Sequence, residues 1–197
     1  MSAHGYGAAR VAEMPEKPRA RDRDLTVDLY YIDIDTCDRC QGASSRVDAA
    51  VAEVAGLLEG LGVGITVRKT LVETKDQAQR LRLVSSPSIR IDGRDIQPEV
   101  VEDLCGACST LPNQSSVDCR IWSYRGEGHK SPPKGLIVEA LLRAAVNPPA
   151  TGGTEPYVMP DNLVAFFSKK AGAPARQPES RPEAAACGGS GSACGCG

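Results

Sequence analysis

This sequence is short of aromatic residues, of net charge and of long apolar runs, and each shortage excludes something. Phe, Trp and Tyr together make up 4% of 197 residues, so few large side chains exist to anchor a core. Apolar content of 41% is also modest, and part of the chain is expected to stay unpacked. A formal net charge of −2 creates no field that would draw the chain onto nucleic acid or an anionic membrane. No stretch approaches the roughly 20 apolar residues that cross a bilayer. Met1 to Asp24 mixes Gly, Pro, Arg and Glu without the apolar centre of a secretion signal. The expectation is a cytoplasmic protein with no nucleic-acid partner and no membrane insertion.

What the chain does have is cysteine, eight in all. A reducing compartment keeps most thiols free, so these cysteines point to catalytic thiols or metal ligands rather than a disulfide scaffold. Cys37-Asp38-Arg39-Cys40 stands out. It follows a strand-like run, Leu25 to Ile34, whose middle is apolar at successive positions, as in a sheet covered on both faces. It precedes a helical stripe of Val47, Ala50, Val51, Val54, Leu57, Leu58 and Leu61 that ends at Gly62 and Gly64. A cysteine at the mouth of such a helix has its thiolate stabilised by free N–H groups and the positive dipole end. Asp35 or Thr36 is the expected cap. Arg39 would favour a Cys37 thiolate and Asp38 would oppose it.

Further along, Val63 to Arg68 alternates as a strand, and Thr74-Lys75-Asp76-Gln77 fits a capping box opening a short helix through Leu81. Ser86-Pro87 opens an alternating strand, and Asp92-Gly93 turns it into a hairpin. Pro98 then opens a helix with Val100, Val101 and Leu104. Cys105 to Lys134 reads as irregular, with Cys105, Cys108, Cys119 and His129. Pro132-Pro133 opens another helix carrying Leu136, Ile137, Ala140, Leu141, Ala144 and Ala145 on one face. Asp161 caps a short helix with Leu163, Val164, Phe166 and Phe167. The Ala-, Pro- and Gly-rich tail ends with Cys187, Cys194 and Cys196 and is expected to lack a packed structure.

The order strand, CxxC, helix, strand, helix, then Ser86-Pro87 at the head of a hairpin, resembles the thioredoxin fold over roughly Leu25 to Leu104. Thr36-Cys-x-x-Cys, Ser85-Ser-Pro-Ser-Ile and Leu104-Cys-Gly-x-Cys also resemble a bacterial thioredoxin-like family without an assigned reaction. The resemblance implies an α/β, thioredoxin-like sheet flanked by helices, with a Cys-rich irregular insertion and disordered termini. It implies a cis Pro87 facing the CxxC, Ser86 presenting backbone to a substrate, Cys37 attacking and Cys40 resolving. The chain departs from thioredoxins in having Thr36 where they carry Trp, and Asp38-Arg39 where they carry Gly-Pro. The expected organisation is a disordered lead over 1–24 and a thioredoxin-like domain over 25–147 with a Cys-rich segment at 105–134. A linker and short docking helix over 148–170, then a disordered Cys-containing tail over 171–197, complete it.

Two chemistries follow. One is a thiol–disulfide oxidoreductase acting on a protein or small-molecule disulfide and needing no cofactor, with Cys37, Cys40, Ser86 and Pro87 at its site. The other is binding or delivery of a soft ion such as arsenite, mercury, copper(I) or zinc to a transfer partner. That reading uses Cys105, Cys108, Cys119, Cys194 and Cys196 together with Cys37 and Cys40, because thiolates suit soft ions; metalloid metallochaperones resemble the plan. The bland alternatives are a structural zinc site joining both CxxC pairs, buried cysteines acting as small hydrophobes, and a solvated His129. The tail cysteines have no packing explanation, since a flexible arm buries nothing; they serve as a mobile donor or a scavenger.

Overall fold

The computed structural model describes residues 22–33, 37–104, 118–147 and 156–171. It is a mixed α/β arrangement of two sheets and flanking helices. Strand β1 (Arg23–Tyr31) pairs in parallel with β2 (Val63–Leu71) through the crossover helix α1 (Asp38–Gly60). A short helix α2 (Lys75–Arg80) then leads to the antiparallel hairpin of β3 (Ser88–Ile91) and β4 (Arg94–Asp95). The four strands lie in the order β2-β1-β3-β4. A second sheet is built from β5 (Val101–Leu104), β6 (Asp118–Tyr124) and β7 (Glu127–His129). Helices α3 (Lys134–Val146) and α4 (Asp161–Ala171) close the described chain.

Alternation along β1 sends Leu25, Val27 and Leu29 to one face of the first sheet. There they join Val47, Ala50, Val54 and Leu58 of α1 and Ile137 and Leu141 of α3 in one buried cluster. Tyr30 and Ile32 join a second cluster with Ala78 of α2, Leu83, Met159, and Leu163, Phe166 and Phe167 of α4. Both faces of β1 are therefore covered, as its continuous apolar run requires. Each fully buried Leu or Val removes enough apolar surface to contribute roughly 1.5–3 kcal/mol. Asp28 is buried within that run, and its carboxylate takes a forked pair of hydrogen bonds from Arg68 across the β1–β2 pairing, at 2.6 and 2.9 Å.

Local chemistry sets the boundaries. Thr74 caps α2 by accepting from Gln77 N–H. Asp92 and Gly93 both take positive φ, 49° and 79°, the backbone that a two-residue hairpin turn needs. Gly42, in the first turns of α1, lies against Ser131: a Cβ there would sit within contact-violating range of the Ser131 side chain.

Several expectations are corrected. Val100, Val101 and Leu104 do not form a helical stripe; Val101–Leu104 is a strand whose backbone pairs with β6, while Val101 and Leu104 remain 49% and 61% exposed. The region expected to be irregular up to Lys134 holds the β6–β7 hairpin, turned by Arg125 and Gly126 at positive φ. The strand expected to reach Ile34 ends at Tyr31, and the residue at the N-cap of α1 is Cys37 itself, with no side-chain cap. Asp35 and Thr36, the expected caps, lie outside the described residues, as do 1–21, the 105–117 segment and 172–197. The expected lead is too long, since Arg23 and Asp24 already pair in β1, and the expected tail begins one residue early, since Ala171 ends α4.

Candidate functional site

The end of β1 and the start of α1 bring the cysteines to the sheet edge where β3 begins. In the antiparallel register Tyr30 faces Ser88, so the two residues before β3 fall beside Ile32. Ile32 N–H donates to Ser86 Oγ at 3.2 Å, and the same Oγ lies 3.8 Å from Cys40 Sγ. The Ser86–Pro87 peptide is cis. Cys37, at the N-cap, is extended (φ −96°, ψ 100°), and its carbonyl accepts from Gln41 N–H at 3.0 Å. The Cys37 side chain itself makes no capping hydrogen bond to the helix. Cys40 sits one turn further in.

Cys37, Cys40 and Cys119 are in no disulfide and have no exposed surface. All three belong to the cluster that includes Met159, Leu163, Phe166 and Phe167. The Cys40 thiol is pushed far above its ordinary range, first by its hydrogen bond to Cys37, then by burial and by charge on Cys37; Ser86 pulls weakly the other way.

Arg39 reaches from the motif to the second sheet. Its buried guanidinium donates to the carbonyls of Asp103 (3.2 Å), Cys119 (3.1 Å) and Leu104 (3.0 Å), with the Asp103 carboxylate 3.6 Å away. It ties the motif to the end of the second sheet. A second tie comes from Arg120, whose N–H donates to the Ser86 carbonyl at 3.0 Å. The fully buried Arg120 side chain forks onto Asp95 at 2.7 and 2.9 Å, reaches the Gln97 carbonyl, and lies 4.6 Å from the Trp122 ring centroid. The Ser86 carbonyl thus has a partner on β6.

Of the other expected ligands, Cys119 lies on β6 in the same buried apolar cluster as the CxxC pair, and His129 lies on β7 opposite Trp122, with Glu127 at 3.9 Å. Among the described residues no three His, Cys, Asp or Glu side chains are grouped as an ion would need. Cys105, Cys108, Cys187, Cys194 and Cys196 lie outside the described residues; the segment carrying the first two leaves at Leu104 and returns at Asp118, which pair across β5 and β6. Also among the described residues, no helix is long and apolar enough to cross a membrane. Sequence reasoning missed the parts played by Arg39 and Arg120. The one signal for Arg120 was the Arg125-Gly126 turn between two strand-prone runs, which places it on a hairpin.

A family model described as a domain of unknown function, DUF2703, matches residues 25–141. No curated protein and no solved structure matches the chain.

Proposed function

The chain belongs to the DUF2703 family, a name that carries no reaction, and from the thiol pair we propose a thioredoxin-like thiol–disulfide oxidoreductase. The observation that carries this reading is the placement of the two sulfurs in the first turn of one helix. Cys37 stands at the N-cap of α1, and the thiol of Cys40, one turn inside, is pushed up by its hydrogen bond to Cys37 and by burial. Exchange needs a division of labour, an attacking thiolate and a second thiol kept in reserve.

In the step, the Cys37 sulfur attacks one sulfur of a protein or small-molecule disulfide. The substrate S–S bond breaks, a mixed disulfide forms on Cys37, and the other half leaves as thiolate. Cys40 then gives up its proton and attacks the Cys37 sulfur. The second half leaves as a thiol, and a Cys37–Cys40 disulfide remains. Two electrons have passed to the substrate, and an external dithiol returns them. Ser86 Oγ, bonded to Ile32 N–H, is placed to steady Cys40 as it ionises. No cofactor is required.

Because both sulfurs are covered, an outside disulfide reaches Cys37 only when the covering chain moves. The test is turnover of a disulfide substrate with a dithiol reductant. Cys37→Ser is expected to abolish it, and unchanged turnover in that variant refutes the proposal.

A further inference from the structure

We infer that Cys119 is a third redox thiol of this site, exchanging with Cys37 inside the folded chain; the inference rests on the oxidoreductase reading. Cys119 belongs to the same buried cluster as Cys37 and Cys40 and is likewise in no disulfide and fully buried. Its backbone is pinned to the motif from both sides. Its own carbonyl accepts from Arg39, the residue between the two cysteines, at 3.1 Å. The next N–H, that of Arg120, donates to the carbonyl of Ser86, whose hydroxyl lies 3.8 Å from Cys40 Sγ. The Arg120 side chain is in turn clamped on Asp95, so β6 is fixed at this point. A sulfur with no exposed surface meets outside disulfides only after an opening, whereas an internal thiol needs none.

The step conserves atoms and electrons. Starting from the Cys37–Cys40 disulfide, Cys119 loses its proton and its sulfur attacks the Cys37 sulfur. The Cys37–Cys40 bond breaks, a Cys37–Cys119 bond forms, and Cys40 leaves as thiolate and takes up a proton. The disulfide has moved from α1 to β6, beside the point where the segment bearing Cys105 and Cys108 rejoins the sheet.

The test uses the full chain with Cys105→Ser, Cys108→Ser, Cys187→Ser, Cys194→Ser and Cys196→Ser, with and without Cys40→Ser. The chain is treated with dithiobis(nitrobenzoate) and mapped by mass spectrometry without reduction. With Cys40→Ser, attack by Cys37 leaves an aromatic adduct on that sulfur, and Cys119 is expected to displace it. The product then carries a Cys37–Cys119 bond, no adduct, and has lost two hydrogens. An adduct persisting on Cys37 beside a free Cys119, or a chain left fully reduced, overturns the inference. Should Cys40→Ser fail to fold, the chain retaining Cys40 decides. A Cys37–Cys119 fraction beside Cys37–Cys40 supports the inference, and Cys37–Cys40 alone overturns it. Disulfide turnover by the wild-type chain is read separately. Turnover without the Cys37–Cys119 bond removes this step and leaves the enzyme; the bond without turnover does the reverse.

Discussion

Arg39 stands between two cysteines in sequence, yet its charge is engaged with three backbone carbonyls of the second sheet. A buried guanidinium that satisfies three acceptors is a fastening, and removing it leaves those carbonyls without their donor. Arg39→Ala is expected to cost roughly 2–4 kcal/mol in denaturant unfolding. Arg39→Lys should recover less than half of that, because an ammonium lacks the planar fork that spans the three oxygens. Full recovery by Lys would show that charge alone matters there. Cys40 makes a separate prediction. In the folded chain it holds its proton past the pH at which an unfolded thiol, near its ordinary 9.0, has lost one. Below that pH the group is protonated in both states and contributes no slope. Above it the unfolded chain binds fewer protons than the folded one, so stability falls as pH rises. The reduced wild type should therefore lose stability above about pH 9 more steeply than Cys40→Ala, by up to about 1.4 kcal/mol per pH unit. Parallel profiles for the two chains would remove the Cys40 contribution.

At the scale of elements, the first turns of α1 show packing overriding propensity. Gly42 weakens a helix, but Ser131, just before α3, fills the space a side chain would need. Gly42→Ala should therefore destabilise, by about 1–3 kcal/mol, despite gaining up to about 1 kcal/mol of propensity. In a Ser131→Gly background the same change should be neutral or stabilising, and thermal melts of the four chains close the cycle. A loss that persists in that background would mean the crowding lies elsewhere. Much of this level was legible beforehand. The stripe from Val47 to Leu61 gave α1, the Thr74 box gave α2, and Asp92-Gly93 gave the β3–β4 turn, since each is local chemistry. The second sheet was not legible. Val101 and Leu104 mimic helical spacing while remaining exposed, and β6 buries Arg120 against Asp95, so its polar–apolar pattern does not alternate. Only long-range pairing reveals such a strand.

At the scale of the molecule, the two faces of one sheet divide the labour. One carries the apolar packing of α1 and α3. The other packs Cys37, Cys40 and Cys119 into one buried cluster with Met159 and the apolar side chains of α4, with the second sheet tied on through Arg39 and Arg120. The motif itself could be read from the sequence, because strand, CxxC and helix are consecutive. The placing of Cys119 beside it could not, since that depends on contacts made some 80 residues apart. The most direct measurement is equilibration of the full chain with a graded dithiol–disulfide buffer under anaerobic conditions, with thiol mapping and metal analysis of each sample. The account predicts a reversible disulfide joining Cys37 and Cys40 in metal-free protein. Two sulfurs that remain thiols across the whole range, or that stay occupied by a tightly held soft ion, would contradict it.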